Sequence, residues 1–194
     1  MTEVHITVLD PAGYRRSPWK NGGGVTIDIA DAYRDGATPG AWEGMIWRFG
    51  RTAITTAGPF SDLRGFDRIQ AVVAGHGLVL VAPDHEIDVR APFVPVRFAG
   101  ETPIMSRLEA GPVEVVNLIG DRLAVRLDMR VLEAGQALHL AAGTHIAYCP
   151  AGAAVLGCRQ EQYELAQDHA LRLVFAVESP ISCAKGRLLI ASAT

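Results

Sequence analysis

A short segment near the start of the chain combines a cation, an amide and a run of glycines. Lys20 and Asn21 stand directly before Gly22, Gly23 and Gly24. Consecutive glycines bury no side chain and offer a backbone that another group can approach closely. An ammonium and an amide at the edge of such a turn are donors that suit a small anion. The alternative interpretation is a plain tight turn before an amphipathic strand, with Lys20 solvated.

Polar side chains later in the first half of the chain extend this anion-binding set. Arg48 lies in residues 47–54, where period-two alternation places it on one face with small residues. A guanidinium combined with amide and ammonium donors matches a carboxylate. The predicted ligand-binding residues are Lys20, Asn21, Gly22, Gly23, Thr26, Arg48, Asp67, Arg68 and Asn117. For each of them the alternative is a structural hydrogen bond, such as Asp67 pairing with Arg68 at a strand end.

Other chemistries have less support in the residue pattern. The sequence has no His-x-His pair, and His139 and His145 are separated and flank a turn, so we predict no metal and no other cofactor. Serine-hydrolase, Walker and dinucleotide-binding motifs are also absent. One alternative function is an isomerase or hydrolase acting on a small organic acid, with Asp67 or His139 as the proton-transfer group. Another is a dimeric interaction module without a ligand.

Composition narrows the class of protein. The chain has 194 residues, 49% of them hydrophobic, which is enough for a substantial core and excludes a disordered chain. Its net charge of -3 gives no basic field, so nucleic acid is not an expected partner. No apolar run has the length of a membrane span, and the first residues do not resemble a secretory signal. We therefore expect a cytoplasmic protein whose three cysteines are reduced and buried.

Short alternating segments separated by Gly, Pro and Asp predict an all-β fold. Examples are residues 4–8, 69–74, 113–119 and 123–131. Strands recur every eight to twelve residues, which is typical of a sandwich or barrel, and no helical period persists. We predict one domain over residues 1–194, with two halves of about 1–120 and 121–194 that meet near Gly120.

The segment Pro-Trp-Lys-Asn-Gly-Gly-Gly at residues 18–24, followed by Thr26, resembles the opening of the HutD/Ves family. Further phrases resemble that family in the same order along the chain. They are Trp-Arg at 47–48, Gly-Pro-Phe-Ser at 58–61, Asp-Arg at 67–68, Gly-His-Gly-Leu at 75–78 and Gly-Pro-Val at 111–113 with Asn117. The resemblance thus covers about residues 18–117.

The resemblance implies a cupin-like β-barrel, in a bicupin arrangement of two jelly-roll-like halves, with no established enzymatic activity. It also implies an association with histidine utilisation. Departures from the family pattern, such as Ile27-Asp28 in place of Arg-Glu and Gly50 in place of Ser, leave the ligand open. The combined expectation is a metal-independent protein that binds a small anionic metabolite and modulates a catabolic pathway. Arg48 would fork onto the carboxylate, and Lys20 and Asn21 would close the mouth; a homodimer is left open.

Overall fold

The chain folds into β-strands joined by turns. The structure, a computed structural model, describes residues 4–19 and 24–194. Its strands are β1 (Val4–Leu9), β2 (Arg15–Pro18), β3 (Val25–Tyr33), β4 (Met45–Ile54), β5 (Phe66–Ala74), β6 (Leu78–Val81), β7 (Glu86–Val89), β8 (Val96–Ala99), β9 (Met105–Leu108), β10 (Val113–Asp121), β11 (Leu127–Glu133), β12 (Ala137–Leu140), β13 (Gly143–Tyr148), β14 (Ala153–Cys158), β15 (Glu161–Ala166), β16 (Ala170–Phe175), β17 (Ser179–Lys185) and β18 (Arg187–Ala193). A 3-10 turn at Pro11–Gly13 is the one helical element in these residues. No helix in this part of the chain is long and apolar enough to cross a membrane. The all-β prediction is confirmed.

Contacts between residues divide the chain into two units. Unit 1 contains the described residues up to Tyr14 together with Asp128–Thr194, and unit 2 is Arg15–Leu127. The first strand belongs with the C-terminal residues because β1 pairs with β16 along its whole length. The predicted division placed that strand in the N-terminal half. Gly120, the predicted seam, lies inside β10 and within unit 2.

Two sheets form unit 1 and enclose an apolar core. The strand orders are β1-β16-β13-β18-β11 and β12-β17-β14-β15. Leu173 and Ile190 enter the core from the five-stranded sheet, and Leu156 and Ile181 enter it from the four-stranded sheet. All three cysteines are free, buried thiols in this core, and burial raises the pKa of each. They act as small apolar residues, as the sequence indicated.

Unit 2 is built on a six-stranded sheet that carries most of the predicted site residues. Its strand order is β2-β3-β4-β10-β5-β8, and a three-stranded sheet, β7-β6-β9, accompanies it. Val72 and Val115 of the larger sheet share a buried apolar cluster with Leu78, Leu80 and Val89 of the smaller sheet. The two sheets therefore bury these faces against each other.

Backbone pairing closes no barrel among the described strands. Each of the four sheets is open, with an edge strand on either side. The predicted β-barrel is in this respect wrong: in each unit a larger and a smaller sheet share a core. Twisted sheets can bury their inner faces in this way without pairing their edges.

The core of unit 1 gives a test of the fold. Leu173 is fully buried, so Leu173→Ala should lower the free energy of unfolding by about 2–5 kcal/mol through lost burial and a residual cavity. Leu123 is 96% exposed, and Leu123→Ala should leave that free energy within about 0.5 kcal/mol of the parent value. Urea denaturation of both variants measures the difference, and equal effects would contradict the core assignment.

Candidate functional site

The inner face of the six-stranded sheet brings three predicted site residues together. Side chains alternate along a strand, so Arg48 and Gly50 of β4 leave from the same face. Across the sheet, Asn117 stands opposite Gly50, and Ile119 stands opposite both Arg48 and Arg68. The central strands β4, β10 and β5 therefore place the two arginines on either side of Ile119, next to Asn117.

These side chains line a cavity of about 60 Å³, which we call the Arg68 cavity. Its wall is largely apolar and includes the rings of Trp19, Trp42 and Phe60. The polar side chains in the described wall are Thr26, Arg48, Thr52, Ser61, Arg68 and Asn117. A space of this size holds several water molecules or a ligand of a few heavy atoms.

Gly50 is required by the close approach of strands β3 and β4 beside the cavity. A Cβ atom at this position would lie 2.6 Å from Thr26 Cγ2 and 2.8 Å from the carbonyl oxygen of Ile27. The second contact is to backbone, which cannot turn aside as a side chain can. The glycine that replaces the serine expected from the family resemblance is thus explained by packing against β3.

Arg48 is held by the protein itself. Its Nη2 donates to the carbonyl oxygen of Gly40 at 3.0 Å, and the Tyr33 hydroxyl and the Ala41 carbonyl oxygen lie 3.3 and 3.4 Å away. Its Nε lies 3.7 Å from Oδ1 of Asp28. These contacts hold the guanidinium through Nη2, while Nε has no hydrogen-bond partner among the described residues and faces Asp28 through charge.

Asp28 is the carboxylate that balances the charge of Arg48. Only 4% of this residue is exposed, and its Oδ2 accepts hydrogen bonds from Ser17 Oγ at 2.5 Å and Arg15 Nη2 at 3.0 Å. Its Oδ1 has no hydrogen bond among the described residues, so it acts on Arg48 through charge alone. The buried cation and the buried anion therefore compensate each other inside unit 2.

Arg68 has no such compensation in the described part of the chain. It is 7% exposed, and no described carboxylate lies within ion-pair distance of it. Its Nη2 donates to Asn117 Oδ1 at 3.1 Å, while its Nε has no partner. Burial lowers the pKa of this guanidinium to about 10, so it is still a cation at neutral pH. A buried cation without a counter-charge favours the binding of an anion.

Two phenyl rings cover the guanidinium of Arg68. Its central carbon lies 4.8 Å from the ring centre of Phe60 and 5.0 Å from that of Phe98. Such cation–π contacts replace part of the lost hydration. They supply no hydrogen-bond acceptor in the guanidinium plane, so the N–H groups in that plane stay available for a planar oxyanion.

Trp19 connects the cavity wall with the glycine-rich segment. Its indole Nε1 donates to Thr26 Oγ1 at 3.1 Å, and its backbone N–H donates to the carbonyl oxygen of Gly24 at 2.9 Å. A Cβ atom at Gly24 would lie 2.9 Å from the indole ring, which explains a glycine there. Outside the described residues lie Lys20, Asn21, Gly22 and Gly23. Their role at the cavity mouth stays a prediction.

Asp67 is not part of the described cavity wall. It is adjacent to Arg68 on β5, and neighbouring side chains on a strand leave from opposite faces. Its Oδ1 accepts from Arg122 Nε at 2.8 Å, and its Oδ2 lies 3.9 Å from Arg97 Nη1. The structure therefore pairs Asp67 with these arginines and not with Arg68. The members of the predicted set that line the described cavity wall are Thr26, Arg48, Arg68 and Asn117.

The histidines lie apart from the Arg68 cavity. His139 is exposed, with Nδ1 3.4 Å from Glu178 Oε1. His145 is buried, its ring nitrogens lie 2.8 Å from Ser192 Oγ and 3.0 Å from the carbonyl oxygen of Ala141, and burial lowers its pKa. Both belong to unit 1, whereas the cavity lies within unit 2. In the part of the chain that the structure describes, no group of three His, Cys, Asp or Glu residues could hold a metal ion.

Sequence reasoning missed several residues that complete this site. Asp28 is two residues beyond Thr26 on β3, so the alternation of that strand could have placed both side chains on the inner face. Phe60 lies in the Gly-Pro-Phe-Ser phrase already noted at residues 58–61. Nothing local marks Trp42, because it enters the wall from the long connection between β3 and β4.

Comparison with known sequences identifies related proteins. Residues 11–190 match the HutD family profile. The chain is 32% identical over 114 residues to a Pseudomonas putida protein described as an uncharacterized 21.2 kDa protein in the hutC 3′ region. That match spans 59% of this chain and 57% of the relative, so it covers little more than half of the relative's length.

Comparison with solved structures agrees with the sequence match. HutD from Pseudomonas fluorescens SBW25, in its formate condition, is 28% identical, with a TM-score of 0.80 and 98% of both chains covered. The protein Ylba from E. coli is 10% identical, with a TM-score of 0.65 over 98% of this chain and 91% of its own. The second likeness concerns the fold alone and places the chain among cupin-like all-β structures.

The two cavity arginines should differ in what they do for stability. Arg48→Met removes one of the two cations beside buried Asp28, where Arg15 remains, and also removes the bonds to the loop carbonyls, so the free energy of unfolding should fall by about 1.5–3 kcal/mol. Arg68→Met removes a desolvated charge that no described carboxylate balances, so the same quantity should stay within about 1 kcal/mol of the parent value or rise.

Urea denaturation in a buffer of low anion content measures both values, and each substitution changes arginine to the same apolar residue. A large loss of stability for Arg68→Met, equal to that for Arg48→Met, would show that Arg68 is compensated like its neighbour.

Proposed function

Because this chain belongs to the HutD family, we propose that it is a binding protein whose Arg68 cavity takes up a small carboxylate and that binding modulates a catabolic pathway. Histidine utilisation is the pathway we propose, on the basis of the family and of the relative in the hutC 3′ region. The proposal includes a bicupin arrangement of the two units and a cytoplasmic location. Three buried free thiols suit the reducing conditions of that compartment.

The observation that carries this proposal is the uncompensated charge of Arg68. Removing a guanidinium from water is costly, and here two phenyl rings and one amide oxygen replace only part of its hydration. A carboxylate would supply both the missing charge and in-plane acceptors for the guanidinium. Binding would therefore add the interaction that the unliganded protein lacks.

We assign to Arg68 the role predicted for Arg48, which is to bind the carboxylate. Arg48 already faces Asp28 and donates to a loop carbonyl, so we assign it to shaping the wall and holding Trp42, whose ring lies 4.6 Å from its guanidinium carbon. Asn117 orients Arg68 through its side-chain oxygen. Lys20 and Asn21 remain our prediction for the mouth of the cavity.

The size and lining of the cavity favour a ligand of a few heavy atoms. A volume of about 60 Å³ suits formate or acetate, and the aromatic wall excludes water from the carboxylate. The formate condition of the P. fluorescens structure makes formate the natural first probe. Larger metabolites would need a wall residue to move.

The alternative of an isomerase or hydrolase has less support. The described wall of the Arg68 cavity contains no Asp, Glu, His or Cys side chain that could transfer a proton. Asp67, the residue proposed for that role, binds Arg122 instead, and His139 belongs to unit 1. The geometry therefore favours binding over catalysis.

Formate and acetate titrations test the binding proposal. Calorimetry on the parent protein should detect binding of at least one of them, and Arg68→Met should abolish it because the anion loses its counter-charge. At 100 times the dissociation constant, the ligand should stabilise the parent by about 2.7 kcal/mol, which raises the melting temperature by roughly 5–10 °C. Binding should also change the fluorescence of the wall residues Trp19 and Trp42.

Arg130→Met is the matched control for this experiment, since Arg130 is exposed in unit 1 and pairs with Asp128. It should bind the anion as the parent does. If neither anion binds the parent protein, or if Arg68→Met binds as well as the parent, the proposed function is wrong.

A further inference from the structure

Gln70 is a buried amide for which the fold gives no reason. It is 0% exposed, and neither its Nε2 nor its Oε1 has a hydrogen-bond partner among the described residues. A buried amide without partners loses its hydration and gains nothing in return. An apolar residue at this strand position would pack as well without that penalty.

The position of Gln70 relates it to the Arg68 cavity. It lies two residues after Arg68 on β5, so both side chains leave from the same face. Across the sheet it stands directly opposite Asn117, which accepts the hydrogen bond from Arg68. Gln70 therefore lies on the same face as Arg68 and Asn117, between Arg68 and the core residue Val72 along β5.

On β5, this face carries three unused hydrogen-bonding groups. Two are donors, Nε of Arg68 and Nε2 of Gln70, and one is an acceptor, Oε1 of Gln70. A plain carboxylate offers acceptors only, so it can satisfy the donors but not Oε1. A ligand that matches the full set must also carry an O–H or N–H group.

Charge and size select between these two kinds of donor. The ammonium of an amino acid would bring a second cation next to buried Arg68, whose charge already lacks compensation. A hydroxyl is neutral, donates one hydrogen bond and accepts others. It also adds a single heavy atom to a carboxylate, which a cavity of about 60 Å³ can hold.

We propose that the ligand of this protein is a small hydroxycarboxylate, in which Arg68 binds the carboxylate and Gln70 binds a hydroxyl on the neighbouring carbon. This inference rests on the proposed carboxylate site. Gln70 is not in the cavity wall of the unliganded structure, although Arg68 and Asn117 on either side are. The rotatable bonds of a glutamine allow its amide to turn towards the ligand when a partner is present.

Glycolate and acetate form a matched pair of probes, because they differ by one hydroxyl. Calorimetric titration should give glycolate a dissociation constant at least about tenfold lower than that of acetate in the parent protein. In Gln70→Leu this preference should disappear while acetate still binds. Glycine, which carries an ammonium at the same position, should bind more weakly than acetate.

Gln162→Leu is the control, since Gln162 is exposed on β15 in unit 1 and the chemical change is the same. It should keep the preference for glycolate. The unliganded Gln70→Leu protein should melt at or above the temperature of the parent, because the substitution removes an amide that has no partner.

The outcomes separate this inference from the proposed function. Equal binding of glycolate and acetate, or a glycolate preference that survives Gln70→Leu, would overturn the role of Gln70 and leave the carboxylate site standing. A marked fall in the melting temperature of Gln70→Leu would also overturn it, since the amide would then have a structural partner. Failure of glycolate, acetate and formate alike to bind the parent would remove the carboxylate site and this inference together.

Discussion

The guanidinium of Arg68 is buried between two phenyl rings and has no carboxylate to balance it in the described structure. Folding must take this charge out of water, which is unfavourable, and the rest of unit 2 has to make that tolerable. Arg48 occupies the same cavity and poses the same problem, which Asp28 solves from β3. The contrast between the two arginines separates a residue that maintains the site from one that is left open to a ligand.

The two units show that this polar interior is not a requirement of the architecture. In each unit a larger and a smaller sheet share a core. The core of unit 1 is filled by aliphatic side chains, Phe175 and three thiols. In unit 2 the inner face changes from Val72 and Val115 to Gln70, Asn117 and Arg68 along the same strands. Because the fold does not require Gln70, Asn117 and Arg68, these polar side chains are the ones to which a function can be assigned.

Much of this arrangement could be predicted from strand alternation. Residues 47–54 were predicted to place Arg48 and Gly50 on one face, and β4 does so. The later strand predicted at residues 123–131 begins only at Leu127, because Asp121 accepts a hydrogen bond from the backbone N–H of Leu123 and stabilises a turn. Alternation depends only on neighbouring residues, so it predicts the face that a side chain takes more readily than the residue at which a strand begins or ends.

Other features depend on contacts between distant segments and could not be predicted. The pairing of β1 with β16 joins the two ends of the chain, and no local pattern marks it. Which of Arg48 and Arg68 is left to bind an anion likewise depends on the partners that each has in the fold. The sequence offered both as cations, and only the position of Asp28 showed which of them was already neutralised.

The hydrogen bond from Arg48 to Gly40 has a consequence for the kinetics of ligand uptake. It ties the connection between β3 and β4, which carries Trp42, to the rigid centre of the sheet. That wall cannot swing aside without exposing a buried ion pair, so this side of the cavity is already shaped before any ligand arrives. Little conformational entropy is then lost at this wall on association, and association does not have to wait for this wall to form.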